Sequence, residues 1–135
     1  MSAPASPGDA AAARVQRVFF VAGEPSGDLQ AARLAAALRR LDPRVELRGV
    51  GGPAMREAGV ATGIDIRDLS VMGVSEVVGA LARVRRIYRR ILREMDSAEP
   101  PNLLVLVDFP EFNLLLARAA RRRGVPVLYY VGPQV

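Results

Sequence analysis

The sequence contains no cysteine and no histidine among its 135 residues. Without cysteine the chain can form no disulfide, no thiolate metal site and no cysteine nucleophile. Without histidine it can form no imidazole base, no Ser-His-Asp triad and no histidine-ligated zinc site. Any proton transfer must therefore use a carboxylate, a tyrosine or water.

Lysine is absent as well, so all 19 basic residues are arginine, and the formal net charge is +5. This excludes a lysine Schiff base and the lysine contact of a P-loop. A positive excess is typical of proteins that bind nucleic acid, anionic membranes or phosphorylated ligands, and it does not distinguish among them. No apolar run reaches the roughly 18–20 residues that span a bilayer. Residues 1–16 lack a hydrophobic signal core, which predicts a flexible leader and a cytoplasmic location.

Short apolar runs alternate with helical patterns from residue 17 onward. The runs RVFFVA, VELRGV, LLVLVD and VPVLYYV predict strands, and one more short strand is expected within ATGIDIRDLSVMGVS. The spacing predicts helices over Leu29–Leu41, Ala54–Glu57, Glu76–Met95 and Glu111–Gly124. Alternating elements with short connections predict one Rossmann-like α/β domain over 17–135, with a parallel sheet and helices on both faces.

The stretch VLVDFPEFN places Asp108 at the end of a predicted buried strand. Ligands of open α/β sheets bind beyond the carboxyl ends of the strands. In the structural interpretation, Asp108 and Glu111 form a capping box, and Pro110 occupies the first turn of the following helix. In the functional interpretation Asp108 is a general base, with Glu111 or Asn113 orienting ligand hydroxyls. The spacing leaves both open, and the two roles are compatible.

The segment AGEPSGD follows the first predicted strand and matches neither the dinucleotide fingerprint nor a P-loop. Gly23 and Gly27 allow a tight turn and a close backbone approach. Ser26 is a candidate helix cap, and Asp28 lies favourably against the helix dipole. Two carboxylates, Glu24 and Asp28, would repel a bare phosphate, whereas sugar hydroxyls can donate to both. A sugar therefore fits this segment better than a phosphate.

The segment GVGGP, which includes Gly51 and Gly52, joins the second strand to a short helix. Two interpretations stay open for it. Its backbone amides could meet an anion or a sugar oxygen at the helix N-terminus. Alternatively, it is a tight strand–helix joint and nothing more.

The helix Glu76–Met95 has one apolar and one basic side. The predicted apolar stripe consists of Val77, Leu81, Val84, Tyr88, Ile91 and Met95. The opposite side carries Arg83, Arg85, Arg86, Arg89, Arg90 and Arg93. This arginine face is either a solvated surface or a docking surface for anionic lipid headgroups. Nucleic acid fits less well, because no aromatic residues interleave with the arginines.

Taken together, these strand ends resemble those of the lipid-A-disaccharide synthases. The matching segments are VAGEPSGD, GVGGPAM, DLSVMGVSEVVGAL, VDFPEFN and YYVGPQV, in the family's order over about Arg17–Val135. The resemblance implies the N-terminal, acceptor-side half of a two-domain B-type glycosyltransferase. It also implies an inverting hexosyltransferase of lipid A biosynthesis in Gram-negative bacteria. Such an enzyme transfers diacylglucosamine from a UDP-linked donor to the 6-hydroxyl of diacylglucosamine 1-phosphate, without a metal or other cofactor.

Asp108 falls on the acidic position that opens the family's Asp-x-Pro-Asp-Phe-Asn motif, and the resemblance implies that it is the catalytic base. Glu111 stands where many members have Asp, and Gly132 stands where Ser usually precedes the Pro-Gln/Ser-Val segment. The implied substrate-binding positions are Glu24, Ser26, Gly27, Asp28, Gly51, Gly52, Met72, Glu76, Glu111 and Asn113.

The family continues beyond PQV with a Trp-Ala-Trp segment and a UDP-binding domain, neither of which this sequence contains. We therefore expect UDP-diacylglucosamine to be bound through that missing domain, and the chain alone to be inactive. The alternatives are a non-catalytic remnant that binds an acylated sugar phosphate, one half of a split enzyme, and a generic nucleotide-binding domain. A lipid substrate and the arginine face together suggest a peripheral position on the inner face of the inner membrane.

Overall fold

A computed structural model describes residues 15–65, 77–107 and 110–130, with the backbone alone at 64–65, 77–78, 80 and 110–111. Strands and helices alternate along the chain, as predicted. They are β1 (Arg17–Ala22), α1 (Pro25–Leu41), β2 (Glu46–Gly51), α2 (Pro53–Glu57), β3 (Ala61–Asp65), α3 (Val77–Met95), β4 (Leu103–Val107), α4 (Pro110–Arg122) and β5 (Val127–Tyr130). The strand expected within ATGIDIRDLSVMGVS is β3.

The five strands form one parallel sheet in the order β3-β2-β1-β4-β5. The chain builds outward from β1 to β3 and then returns through α3 to place β4 on the other side of β1. The direction of strand addition therefore reverses between β1 and β4. In sheets of this kind the reversal opens a crevice at the carboxyl ends of the two central strands.

Helices cover both faces of the sheet because alternate residues of each strand point to opposite sides. In β1, Phe20 belongs to the core beneath α1 and α2, whereas Phe19 and Val21 belong to the core beneath α3 and α4. Tyr88 of α3 meets Phe112 of α4 edge to face, with ring centroids 6.1 Å apart. These two cores confirm the predicted Rossmann-like α/β fold.

Most predicted helix ends are close to the observed ones. The first helix begins at Pro25 rather than Leu29, because proline is well suited to the first helical position. It ends before Asp42, as predicted. Gly59 and Gly124 follow α2 and α4 with φ of +91° and +70°, the left-handed backbone conformation that glycine adopts most easily. Both stop signals are therefore confirmed.

The apolar stripe predicted for α3 is wrong at Leu81, which is 65% exposed. Among the described side chains of α3, contact with the core begins one turn later at Val84, and Ile87 contributes to it. The rest of the stripe is buried or half-buried at Val84, Tyr88, Ile91 and Met95. The side chain of Val77 lies outside the described residues.

The edge strand β5 is exposed on both faces. Val127 and Tyr129 are 36% and 44% exposed, and Leu128, which points to the opposite face, is 42% exposed. Strands of parallel sheets are ordinarily covered on both sides. The described residues leave this part of the sheet uncovered.

Candidate functional site

The carboxyl ends of β1 and β4 lie next to each other. Ala22, the last residue of β1, is in register with Val107, the last residue of β4. The segments GEPSGD and DFPEFN therefore leave the sheet from adjacent positions at the point where strand order reverses. This crevice is the place where a Rossmann-like sheet ordinarily binds its ligand, and we take it as the candidate site.

Gly27 allows α1 to lie close against the end of β4. A Cβ atom added at Gly27 would lie 3.4 Å from Cγ1 of Val107 and 3.5 Å from Cβ of Ala22. These are ordinary van der Waals distances, so the start of α1 leaves room for a methyl group and little more beside the two central strands. The predicted close approach at Gly27 is thus present, and it is made to the protein's own strands.

Asp28 lies on the buried side of α1 and is only 4% exposed. Its Oδ1 accepts the backbone N–H groups of Gly52 at 2.9 Å and Met55 at 3.0 Å, and its Oδ2 accepts that of Ala54 at 3.0 Å. These amides form the first turn of α2, which has no side-chain cap of its own. Asp28 thus caps a helix other than the one that carries it, because the free amides at a helix start favour a negative partner.

The amides of GVGGP do meet an anion, and that anion is the Asp28 carboxylate. Gly52 is the N-cap residue of α2, and its N–H group donates to Asp28. Gly51 leaves space for a buried methionine, since a Cβ atom there would lie 2.0 Å from Sδ of Met55. The geometry therefore gives both glycines a structural role. Substrate contact by Gly51, Gly52 and Asp28 stays a prediction.

Sequence reasoning missed the capping role of Asp28, although a signal for it was present. Asp28, Ala31 and Ala35 are spaced three and four residues apart and share the buried face of α1. A carboxylate on a buried face requires hydrogen-bond donors. Ser26, by contrast, is wrong as a helix cap. The N-cap position is Glu24, which makes no side-chain capping bond, and Ser26 is the second residue of the helix.

Glu24 and Ser26 are exposed at the start of α1, directly beyond the end of β1. The Glu24 side chain makes no capping hydrogen bond. Both are therefore accessible to a ligand in the crevice, which is compatible with their predicted role.

Asn113 is fully buried in α4. Its Nδ2 donates to the carbonyl oxygen of Val107 at 3.2 Å. Its Oδ1 is buried with no hydrogen-bond partner among the described residues. The polar group that the sequence suggested for substrate binding is thus engaged with the end of β4.

Three of the predicted site residues, and the side chain of a fourth, lie outside the described residues. Met72, Glu76 and Asp108 are not described, and Glu111 is described only by its backbone in α4. Their site roles remain predictions from sequence. In the sequence, Asp108 directly follows Val107, the last residue of β4.

The arginine face of α3 is exposed at Arg85, Arg86, Arg89, Arg90 and Arg93. A groove of about 410 Å³ is lined by Arg86, Arg90, Arg93, Glu94 and Ser97. The C-terminal end of α3 leads into β4, so this groove lies toward the amino ends of the strands, away from the crevice. The described residues include neither a group of acidic side chains suited to a metal ion nor a helix long and apolar enough to cross a membrane.

Residues 18–135 match the family model of the lipid-A-disaccharide synthetases. This match covers the sheet from the second residue of β1 onward and both segments of the crevice. The chain belongs to the lipid-A-disaccharide synthetase family. The lipid-A-disaccharide synthase of Geobacter sulfurreducens is 50% identical over 119 residues, and that of Coxiella burnetii (strain Dugway 5J108-111) is 43% identical over 118 residues. These matches cover 88% and 87% of this chain and 31% of each relative, so the chain spans about a third of their length.

Solved structures share the fold at low sequence identity. The C-terminal domain of a hydrogenase from Pyrococcus furiosus superposes with a TM-score of 0.60 at 15% identity, covering 85% of this chain and 91% of that one. A ugt transferase from Siraitia grosvenorii in complex with UDP gives a TM-score of 0.53 at 17% identity, covering 84% and 27%. The calicheamicin glycosyltransferase gives 0.53 at 18%, covering 90% and 34%. At these sequence identities the superpositions show a shared fold and no shared function, because one fold serves many functions.

Proposed function

We propose that this chain is the acceptor-side portion of a lipid-A-disaccharide synthase. The complete enzyme would transfer diacylglucosamine from UDP-diacylglucosamine to diacylglucosamine 1-phosphate, and would release UDP. The observation that carries the proposal is the family match over 18–135, which includes both segments at the crevice. The strand register supports it, because Ala22 and Val107, the residues that end β1 and β4, lie side by side.

Asp108 is the proposed general base. The 6-hydroxyl oxygen of the acceptor attacks the anomeric carbon of the donor from the side opposite to the UDP group. A new C–O bond forms, the bond to the UDP oxygen breaks, and UDP leaves with the electron pair. The hydroxyl proton passes to the Asp108 carboxylate, which is the type of base left to a chain without histidine. The configuration at the anomeric carbon is inverted.

The exposed start of α1 is the proposed binding surface for acceptor hydroxyls. Glu24 can accept a hydrogen bond from a sugar hydroxyl, and Ser26 can donate or accept one. Met72, Glu76 and Glu111 complete the proposed substrate-binding set from sequence. Asp28, Gly51 and Gly52 would act indirectly, by holding the first turn of α2 at the neighbouring strand end.

The donor nucleotide is proposed to bind the part of the family's length that these residues do not span. The groups that would hold the diphosphate then lie outside this chain, and no metal ion or other cofactor takes part. On this account residues 1–135 alone form no disaccharide and bind UDP weakly. Tight UDP binding by this chain alone would instead favour a generic nucleotide-binding domain.

The experiment is a gain of function by fusion. Residues 18–135 replace the matching portion of the Geobacter sulfurreducens relative, and the product, here called the fusion synthase, is assayed with both acylated sugar substrates. We expect disaccharide phosphate and UDP from the fusion synthase and neither from residues 1–135. A folded fusion synthase that forms no disaccharide would contradict the proposal.

A second candidate function is one half of a split enzyme, or a remnant that binds an acylated sugar phosphate without catalysis. Among the described residues, Val127, Leu128 and Tyr129 of β5 offer an exposed apolar surface at the edge of the sheet, which a separate chain could cover. Co-expression with the remaining portion of the Geobacter sulfurreducens relative, as a separate chain, tests it. Co-purification with activity would support a split enzyme. Acceptor binding without association would support the remnant.

The proposed location is the cytoplasmic surface of the inner membrane. The exposed arginine side chains of α3 would meet anionic headgroups and keep the protein near its acylated substrates. The absence of a membrane-spanning helix among the described residues fits attachment at the surface. Flotation with vesicles tests this location.

A further inference from the structure

The side chain of Asn113 in α4 forms a hydrogen bond to the last residue of β4. Its side chain is fully buried, and its Nδ2 donates to the Val107 carbonyl oxygen at 3.2 Å, six residues earlier in the chain. A buried amide is costly unless its hydrogen-bonding groups are used. The contact with Val107 is the one hydrogen bond that the described residues give this side chain.

Val107 is restrained from several directions. Its backbone is in register with Ala22 of β1 and Tyr130 of β5. Its Cγ1 atom lies against Gly27 of α1, 3.4 Å from the position that a Cβ atom would take there. Asn113 adds a restraint from α4 on the carbonyl oxygen. Three secondary-structure elements and one buried side chain therefore fix the last residue before Asp108.

The restrained oxygen belongs to the peptide unit that joins Val107 to Asp108. A peptide unit is planar, so the carbonyl oxygen of Val107, the nitrogen of Asp108 and the Cα atom of Asp108 share one plane. Holding the oxygen fixes the orientation of that plane.

We propose that Asn113 is a positioning residue, whose Nδ2 group orients the Val107–Asp108 peptide and so places the Asp108 carboxylate for proton transfer. This inference rests on the proposed function, because it requires Asp108 to be the base. It assigns Asn113 a role different from contact with substrate. Loss of Nδ2 should then slow the chemical step and leave acceptor binding intact.

The test uses the fusion synthase with Asn113→Leu, which keeps a similar volume and removes the donor. We expect kcat to fall about 100-fold, the size of effect that a misplaced catalytic group produces, with an unchanged KM for the acceptor. Asn113→Ala is the second variant, since truncation removes the same donor without adding bulk. Leu116→Ala is the control for stability. This leucine is also fully buried in α4, so its truncation should lower Tm while leaving kcat near the parent value.

The double variant with Asp108→Asn separates this inference from the proposed function. If Asn113 acts through Asp108, adding Asn113→Leu to Asp108→Asn lowers kcat no further. Two losses that multiply, or a raised KM with normal kcat, would overturn the positioning role. If Asp108→Asn alone retains normal turnover, the base assignment fails first, and the positioning role fails with it. If Asp108→Asn is inactive while both Asn113 variants keep normal kcat, only the positioning role fails.

Discussion

The carboxylate of Asp28 in α1 and the backbone N–H of Gly52 at the start of α2 lie 2.9 Å apart and form a buried hydrogen bond. The bond connects the elements that follow β1 and β2, which are neighbours in the sheet. Together with the bonds from Ala54 and Met55, it ties the segment GVGGP to the segment AGEPSGD. The two segments therefore form one rigid unit beside the crevice.

Replacing Asp28 by Asn should destabilise the domain. An amide side chain can accept hydrogen bonds at only one of its two polar atoms, so at least one amide of α2 loses its partner. The expected loss is about 1–3 kcal/mol in the free energy of unfolding, measured by urea denaturation. Asp42→Asn is the matched control, because Asp42 accepts the Arg44 N–H group at 3.1 Å on an exposed turn. Equal unfolding midpoints for the two variants would contradict the capping role.

Replacing Gly49 by Ala should disturb the pairing of β1 with β2. A Cβ atom at Gly49 would lie 2.2 Å from the backbone oxygen of Phe20, which cannot move without disturbing β1. We expect a loss of about 1–3 kcal/mol, typical of overpacking. Gly79→Ala is the contrasting variant, because the nearest described atom to an added Cβ is Nη2 of Arg83 at 3.9 Å, on the exposed side of α3. There the higher helix propensity of alanine should raise stability by about 1 kcal/mol. Thermal unfolding of both variants gives the two signs, and a stable Gly49→Ala protein would contradict the close strand approach.

Charge removal along the α3 groove tests the membrane proposal. Replacing Arg86, Arg90 and Arg93 by Gln removes three charges that line one groove. At about 1 kcal/mol for each basic residue near an anionic surface, partitioning onto anionic vesicles should fall about 100-fold. Arg118, Arg121 and Arg122 of α4 are also exposed, so their replacement by Gln gives a control with the same net charge. Equal effects of the two triple variants would reject α3 as a specific surface, and no binding of the parent at low salt would reject membrane association.

Much of the fold could be predicted from the sequence because its local signals agree with one another. The run RVFFVA is apolar and β-branched, and it becomes a central strand buried on both faces. Gly59 and Gly124 end helices where a left-handed residue is required. The sequence pattern predicts the start of α1 too late, because it points to Leu29 or to a cap at Ser26, whereas the helix begins at Pro25, a residue that suits a first helical turn.

Features that depend on contacts between distant elements could not be predicted in the same way. Asp28 and Gly52 are 24 residues apart, and nothing local indicates that α1 supplies the cap of α2. Leu81 fits the apolar period of α3 and is nevertheless exposed, because the part of the core that α3 covers begins at Val84. Periodicity gives the side of a helix that packs, whereas the tertiary structure decides how much of its length is covered.

The most direct measurement is the turnover of the fusion synthase with Asp108→Asn. This change keeps the size of the side chain and removes its capacity to accept a proton at neutral pH. The account predicts a loss of kcat of at least about 100-fold with an unchanged unfolding midpoint. Asp96→Asn, at the exposed ion pair with Arg123, should leave kcat unchanged. Turnover of the Asp108→Asn enzyme near the parent rate would contradict the assignment of Asp108 as the base.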